Sequence, residues 1–360
     1  MNITVRLTTD DDKHLFAYSH SIAEAVLTCP RWGITRYVKG LSFATHGRAM
    51  ALEAGSAMHE VFAAMRLWQL LRVQKLPGHF HYHGARLFNN EDNPDRFASC
   101  WEDMEGNASA SPRDELLAFT FKILNTGTFY DDPDDGIRTV SNMEVSIMKY
   151  VDTLMPTMSK YPIWVANVDD PTAPVGIECI FDMVIEEWKE HDDVIPQRQV
   201  RYIGTIDGLI QLPDRVRPDE NKTASRLDET FRKSYQVKTQ PTGYIVAAEL
   251  FTGQKSTDTR IIGIKVKQTK SHEDMISFVE ERVDWQKAAW LRTLFFCDDI
   301  VRKYANPLEA PQFTHSCSRY FRPCAFIDWC SAEPEDQVAI LEEMVPAELS
   351  PSQAAVGIKH

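Results

Sequence analysis

Two carboxylates and a lysine lie on neighbouring segments in the middle of the chain. Asp207 ends the run Gly-Thr-Ile-Asp, and Glu220 and Lys222 follow with one residue between them. Two carboxylates that converge from adjacent strands form a hard oxygen site for Mg²⁺ or Mn²⁺. A lysine on the same face can orient the attacking water and offset charge on a pentavalent phosphate. These residue types indicate metal-dependent hydrolysis of a phosphodiester, although an ordinary charged strand can carry the same pattern.

Other polar residues have spacings that could extend this site. His59 follows Gly55 by one helical turn, and a neutral imidazole can be a further metal ligand. Most single histidines on helices are simply packed or solvated. Gln240 and Tyr244 are four residues apart, which places both on one face of a helix. Glu178 lies within an apolar strand, where it either points to the metal site or faces solvent.

The cysteines form a second candidate site. The chain has seven, and three of them, Cys317, Cys324 and Cys330, follow one another closely near its end, with Cys29 alone near the start. Thiolates suit an iron–sulfur cluster or zinc. Structural zinc sites usually contain short Cys-x(2–4)-Cys pairs, and none is present here. The pattern therefore favours a [4Fe–4S] cluster over zinc. The remaining three are expected to be buried thiols, namely Cys100, Cys179 and Cys297.

The hydrophobic period predicts the elements that must position these residues. Steps of three and four predict helices over 48–72, 114–125, 140–155, 241–252 and 274–304. The first should bury Ala54, Met58, Val61, Met65 and Trp68. The last should bury Val279, Val283, Trp290, Leu294, Cys297 and Val301. Runs rich in Ile, Val, Tyr and Thr predict strands over 161–168, 175–187, 200–211, 216–223 and 260–268. Pro218 in the strand of Glu220 predicts that this strand is short or at an edge.

This order of elements indicates one α/β domain over 1–345, with a helical elaboration before its sheet. We expect a mainly helical part over 48–155, a sheet core over 160–270, a long helix with the last cysteines over 274–332, and a flexible tail over 346–360. No apolar run is long enough for a membrane span, and no secretory signal is evident. The expected location is the cytoplasm, where structural disulfides are rare.

The charge balance limits how this chain could bind nucleic acid. It has 39 basic and 52 acidic residues, a formal net charge of −13. That argues against a surface coated for nucleic-acid binding, but a local basic track can still contact phosphates. The candidates near the proposed site are Arg201, Arg215, Arg217, Arg226, Arg232, Lys233 and Lys238. A second group contains Lys265, Lys267 and Lys270. For any one of them, an ordinary solvated residue is the more common case.

The order of these motifs over about residues 25–332 resembles the PD-(D/E)XK nucleases of the RecB type. It is most similar to their iron–sulfur branch, which includes CRISPR-adaptation exonucleases, AddB nuclease domains and phage exonucleases. The motifs that carry the resemblance are Cys29, Gly55-x₃-His59, Glu178, Gly204-Thr-Ile-Asp207, Glu220-x-Lys222, Gln240-x₃-Tyr244 and the three late cysteines. The resemblance implies a restriction-endonuclease-like core, a small mixed sheet flanked by helices. It also implies an iron–sulfur clasp that joins the N- and C-terminal segments.

The resemblance also implies roles for individual residues. His59, Asp207, Glu220 and the backbone carbonyl of Asn221 would hold Mg²⁺ or Mn²⁺, and Lys222 would act on the water and the transition state. Gln240 and Tyr244 would position the DNA or the lysine. Pro241 makes Gln240 a helix cap, so Gln236 is a rival for its role. The cluster ligands would be Cys29, Cys317, Cys324 and Cys330, although the interval between Cys317 and Cys324 is longer than in the CRISPR members.

Together these observations predict a metal-dependent DNA exonuclease that acts on DNA ends in recombination, repair or replication, in a bacterial or phage-infected cell. No Walker A loop is present, so any unwinding would come from a helicase or recombination partner. One alternative is a catalytically weak module of the same fold that binds DNA ends together with partner proteins. Another is a non-nucleolytic iron–sulfur or zinc protein. Cleavage polarity, the preferred strand state and oligomerisation have no sequence signal.

Overall fold

Segments with a helical period become helices and β-branched runs become strands in a computed structural model, which describes residues 2–43, 50–76, 96–106, 111–188, 196–266, 274–319 and 322–347. The architecture is mixed α/β, with a mostly antiparallel sheet flanked by helices. The chain divides into two compact units. Unit one comprises Met1–Gly47, Ile180–Thr205 and Asp284–His360, and unit two comprises Arg48–Cys179 and Ile206–Val283. A single nuclease domain over 1–345 stays a prediction, and most of the expected tail lies outside the described residues.

The described residues form eleven α-helices. They are α1 His20–Thr28, α2 Pro30–Gly33, α3 Met50–Trp68, α4 Arg96–Gly106, α5 Pro112–Asn125, α6 Val140–Leu154, α7 Glu229–Val237, α8 Gln240–Thr252, α9 Asp284–Lys303, α10 Ile327–Ser331 and α11 Pro334–Glu342. Two π-helical turns, Ile34–Val38 and Gln69–Val73, extend α2 and α3. Within the described ranges, no helix has the length and apolar character that a membrane span needs.

Eleven strands are formed by the same residues. They are β1 Asn2–Leu7, β2 Ala17–Tyr18, β3 Leu41–Ser42, β4 Ile177–Trp188, β5 Arg198–Gln211, β6 Val216–Thr223, β7 Asp258–Ile264, β8 Met275–Glu281, β9 Ser318–Arg319, β10 Arg322–Pro323 and β11 Val345–Pro346. In unit one, β1 pairs antiparallel with β4, and β2 pairs parallel with β5. In unit two, β5 and β6 are antiparallel, β6 and β7 are parallel, and β7 and β8 are antiparallel.

Unit two has a helical layer whose apolar core supports the sheet. The predicted stripe on α3 is confirmed, because Ala54, Met58, Val61, Met65 and Trp68 are all buried. This stripe packs with α5 and α6 in one hydrophobic cluster that includes Phe119 and Ile147. Burial of large apolar side chains is the main favourable term in folding. The packing therefore fixes α3, which carries His59 and Gly55.

The predicted helix over 274–304 is wrong in its first third. Met275–Glu281 is a strand that pairs with β7, and α9 begins only at Asp284. Val279 and Val283 are exposed, at 45% and 52%, whereas Trp290, Leu294 and Cys297 are buried as predicted. Val279 and Val283 are four residues apart, which is a helical spacing, but Ile276, Phe278 and Val279 also favour a strand. The long-range pairing with β7 decided between the two.

Two other strand predictions also need correction. Over 161–168 only isolated bridges form, at Ile163 and Val165. β6, which contains Pro218, is not an edge strand, because β5 and β7 flank it. Its pairing with β7 begins at Asp219, one residue after the proline, so the missing N–H of Pro218 is not needed in that ladder. Buried ion pairs such as Asp219–Arg260 make its polar sequence compatible with an interior position.

Candidate active site

The site begins where β5 and β6 separate. Their ladder ends at the pair Gly208–Asp219, and the next opposed residues are Asp207 and Glu220. Instead of continuing the ladder, the backbone N–H of Asn221 donates to Oδ2 of Asp207 at 2.6 Å. By strand alternation, Asp207, Glu220 and Lys222 lie on the same face of these strands. Both acids are buried, with exposures of 5% and 1%.

Two further residues join Asp207. His59, on α3, places Nδ1 3.4 Å from Oδ1 of Asp207. Glu178, at the start of β4, completes a group in which one ligand atom from each of His59, Glu178 and Asp207 lies within 4.8 Å of the others. One imidazole and two carboxylates are suitable donors for a divalent cation. Of the two orientations left open for Glu178, the structure has the one towards the proposed metal site.

The donor set has unused oxygens, which fits a cation. Within the described part of the chain, Oε1 of Glu178 and Oε2 of Glu220 are buried without a hydrogen-bond partner. Buried polar atoms are normally paired, so such exceptions need an explanation. Glu178 also has a φ of +46°, in the left-handed region that residues other than glycine rarely adopt. Strain of this kind is concentrated at functional sites.

Lys222 lies against Glu220. Its Nζ contacts Oε1 of that carboxylate in an ion pair. Burial acts to lower the pKa of Lys222, but the charges of Glu220 and Asp207 outweigh burial and raise it. Lys222 is therefore a cation held within the acidic group, as transition-state charge stabilisation requires.

The ionisation of the acidic group reflects burial and mutual charge. Burial opposes the charged form of His59, but Asp207 and Glu178 outweigh burial and raise its pKa to about 9. Burial and the charge of Asp207 raise the pKa of Glu178 to about 8. Burial also raises the pKa of Glu220, against the charge of Lys222. Burial acts in the same direction on Asp207, but His59 and Lys222 hold its pKa below the usual range.

Gln240 and Tyr244 lie together at the start of α8. Nε2 of Gln240 donates to the hydroxyl of Tyr244 at 2.8 Å. The helix cap is Thr239 and not Gln240 as predicted, so Gln240 is the first residue of the helix itself. Gln236, the rival for its role, is exposed on α7. The pairing of Gln240 with Tyr244 favours Gln240 for the predicted role.

The sequence analysis missed three residues near the site, namely Arg66, Tyr150 and Tyr235. Arg66 is buried on α3, and the side chain of Asn221 lies between Arg66 and Tyr150. Tyr235 on α7 has a buried hydroxyl with no hydrogen-bond partner among the described residues. None of the three belongs to a recognisable motif. A spacing signal existed only for Arg66, which follows His59 by two helical turns.

The four candidate cluster cysteines all lie in unit one. The hairpin of β9 and β10 pairs Pro323 with Ser318, which makes Cys317 and Cys324 the next opposed residues. The backbone N–H of Cys324 accordingly donates to the carbonyl of Cys317 at 2.7 Å. Burial raises the pKa of Cys330 to about 11, with a further contribution from Cys29, Cys324 and Cys317.

The terminal segments of unit one are joined by ordinary protein contacts. Arg31 donates to the carbonyls of Ala310 and Leu308, at 3.2 and 2.7 Å, and to the side chain of Gln337 at 3.0 Å. β3 and β11 form an antiparallel pair. Hydrogen bonds and strand pairing therefore join the N- and C-terminal segments of unit one, and the iron–sulfur clasp stays a prediction. Outside the four candidate cluster ligands, Cys100, Cys179 and Cys297 are buried, as predicted.

The expected basic track is smaller than the sequence suggested. Arg201 pairs with Asp182, and Arg215 pairs with Asp258. Arg217 is buried over the ring of Tyr161. These three arginines form contacts within the protein. Arg226, Arg232 and Lys233 are exposed. Lys238 is half-buried over the ring of Tyr235, and Lys265 is also half-buried. Lys267 and Lys270 lie outside the described residues.

Comparisons with known proteins add little to this geometry. No protein-family model and no curated protein matches the chain. The chain is similar to the crystal structure of a candidate exonuclease from Eubacterium rectale, with 13% identity and a TM-score of 0.39 over 91% of this chain and 99% of that one. It is also similar to the crystal structure of SSO0001, with 11% identity and a TM-score of 0.28 over 68% of this chain and 98% of that one. Likeness at these TM-scores assigns neither a fold nor an activity.

Proposed function

We propose that this chain is a metal-dependent deoxyribonuclease that hydrolyses phosphodiester bonds at DNA ends. The observation that carries the proposal is the convergence of His59, Glu178 and Asp207 within 4.8 Å in unit two. The ion pair of Glu220 and Lys222 lies on the same face as Asp207. A hard-cation donor set beside a half-buried lysine is what hydrolysis of a phosphodiester needs.

Each residue of the site has a role in this proposal. His59, Asp207, Glu220 and the backbone carbonyl of Asn221 would hold Mg²⁺ or Mn²⁺, with Glu178 as an additional acid. The cation, when bound, supplies Lewis-acid chemistry and lowers the pKa of water. Lys222 offsets negative charge that develops on the phosphate. Gln240, held by Tyr244, would orient the DNA or the lysine.

We also propose that Cys29, Cys317, Cys324 and Cys330 hold a structural [4Fe–4S] cluster. The support is that these four cysteines lie in unit one, and that Cys29, Cys324 and Cys317 are close enough to Cys330 for their charges to contribute to its raised pKa. The cluster would add to the contacts of Arg31 and of β3 with β11.

The nuclease proposal is tested by digesting end-labelled single- and double-stranded DNA with anaerobically purified protein and Mg²⁺ or Mn²⁺. Lys222→Ala is the matched variant, and a chelator is the control for metal dependence. We expect shortening from one end by the wild type and a loss of about 100-fold or more in the variant. Intact DNA after incubation with folded, metal-loaded wild type would contradict catalysis and favour a module that only binds DNA ends.

The cluster proposal is tested by iron content and visible absorption. Cys324→Ser should lose iron and colour, because one of four ligands is removed. Cys100→Ser is the matched control, because Cys100 is also buried but is not among the proposed ligands. Full iron content in Cys324→Ser would rule out the assigned ligand set. A colourless wild type with stoichiometric zinc would favour the zinc alternative.

A further inference from the structure

Arg66 is a buried cation that lies against Gly208 of β5 and the side chain of Asn221 of β6, next to the candidate metal site. It lies on α3 seven residues after His59, so the two project from similar sides of that helix. Its exposure is 6%, and no carboxylate within the described ranges forms an ion pair with it. A buried charge without a carboxylate partner is costly, and such a residue is retained only where other contacts compensate.

The compensating contact is the side chain of Asn221. The amide orientation that satisfies both neighbours directs its oxygen towards Arg66, whose two terminal nitrogens donate to it at 2.7 and 3.0 Å. The amide nitrogen then donates to the hydroxyl of Tyr150 at 2.7 Å. Gly208 makes this packing possible, because a Cβ at that position would lie 2.3 Å from Nε of Arg66.

Asn221 connects this contact to the proposed metal ligand. Its backbone N–H donates to Oδ2 of Asp207 at 2.6 Å. The other oxygen of Asp207, Oδ1, is thereby left facing His59 at 3.4 Å. A bond of 2.6 Å is short for an N–H donor to oxygen, so it defines the direction of the carboxylate closely.

We propose that Arg66 is a positioning residue for the metal site, which it orders by holding Asn221 so that Asn221 directs Asp207. The proposal rests on the proposed function, because it assumes that Asp207 and His59 bind a divalent cation. Arg66 and His59 belong to one helix, so the same contact fixes the distance between the histidine and the acid. Hydrogen-bond partners of metal ligands commonly contribute 10- to 100-fold to metal affinity.

The test is a double-mutant cycle on Mn²⁺ affinity, measured by calorimetry without DNA. We expect Arg66→Met and Asn221→Ala each to weaken Mn²⁺ binding about tenfold or more. The double variant should be no weaker than the worse single variant, because both substitutions remove the same connection. Losses that multiply in the double variant would overturn the proposal. So would affinity within about twofold of wild type in both single variants.

Two controls separate positioning from folding. Tyr150→Phe removes the contact at the other end of the Asn221 amide but leaves Arg66 in place, so Mn²⁺ affinity should stay within about twofold of wild type. Arg66→Lys keeps the charge without the paired donors and should recover only part of the affinity if the methionine variant unfolds. Equal losses in Tyr150→Phe and Arg66→Met would assign the effect to general destabilisation.

The readout also distinguishes this proposal from the nuclease itself. Mn²⁺ binding with a coupled loss in the variants, but no DNA cutting by the wild type, would support the role of Arg66 and overturn the nuclease. DNA cutting by the wild type, together with losses of Mn²⁺ affinity that multiply in the double variant, would support the nuclease and overturn the role of Arg66. A wild type that binds no Mn²⁺ would overturn both.

Discussion

At the scale of single residues, the candidate site is a group of acids in which some buried carboxylate oxygens accept no hydrogen bond from the described residues. Glu220 is buried and Glu178 is half-buried, and within the described residues each has a buried oxygen without a hydrogen-bond partner. Burial acts to lower the pKa of His59, but the charges of Asp207 and Glu178 raise it. A divalent cation could be coordinated by these carboxylate oxygens. The energetic consequence is that protons and the cation compete for the same groups.

Metal affinity should therefore depend on pH. His59 has a pKa of about 9 and Glu178 of about 8, and both must lose a proton to bind a cation. Below these values the protonated forms prevail, so affinity should rise as pH increases from about 6 to 9 and level off above that range. Calorimetric titration with Mg²⁺ at several pH values measures this dependence. His59→Ala should bind more weakly and show a shallower pH dependence, and a flat profile in the wild type would contradict the assignment.

Tyr235 offers a prediction about stability. Its hydroxyl is buried and has no hydrogen-bond partner among the described residues. Removing an unpaired buried hydroxyl without changing the ring should raise the free energy of unfolding, by about 1 kcal/mol. Tyr150→Phe is the matched control and should lower it by a similar amount, because the hydroxyl of Tyr150 is bonded to Asn221. Urea denaturation measures both changes, and destabilisation by Tyr235→Phe would show that its hydroxyl has a partner.

At the scale of elements, the site depends on the separation of β5 and β6. The strands pair up to Gly208 and Asp219, and beyond that point a side chain of one strand bonds the backbone of the other. Asp207 and Glu220 therefore lie next to each other just beyond the last paired residues of β5 and β6. The close approach of α3 behind Gly208 stabilises this end of the ladder.

Gly208→Ala tests that close approach. The added Cβ would lie 2.3 Å from Nε of Arg66, so Arg66 or the strand must move. We expect a loss of about 1–3 kcal/mol in the free energy of unfolding. Gly136→Ala is the control, because a Cβ there would have no neighbour within 4 Å. Thermal unfolding of both variants measures the difference, and equal stabilities would mean that the space behind β5 is larger than described.

At the scale of the whole molecule, unit one is built from three separate segments of the chain. Arg31 joins the first of them to the last through two backbone carbonyls and Gln337, and it stacks on Trp329 at 5.3 Å. The terminal segments are therefore fastened by hydrogen bonds and packing. A cluster on the four cysteines would act on an arrangement that the protein already has.

Arg31→Met should destabilise the molecule by about 2–4 kcal/mol, because buried carbonyls of Ala310 and Leu308 lose their donor. Lys39→Met, an exposed change nearby in sequence, should have a negligible effect. Chemical denaturation of iron-loaded and iron-free protein separates the two contributions. An unchanged stability for Arg31→Met in the iron-free protein would show that the contacts of Arg31 do not fasten the segments.

Local pattern was sufficient for much of the fold. The apolar stripe of α3 and the strands around Asp207 and Glu220 were predictable, because burial imposes a period that can be counted along the chain. β8 was not, because Met275–Glu281 fits two periods and only pairing with β7 selects one. The interior position of β6 was missed for a related reason. Its buried charges are paired with β7 residues 41 positions away, as in Asp219–Arg260.

The sequence by itself determined which residues are available for chemistry: two acids and a lysine on successive strands, a histidine on a helix, and four cysteines near the two ends. Residue type and spacing along one element are local properties, so they can be read without the fold. Only the tertiary structure decided that Glu178 turns towards His59 and that Arg66 contacts the side chain of Asn221. These relations join segments far apart in the chain, and their geometry follows from packing and pairing that no local pattern encodes.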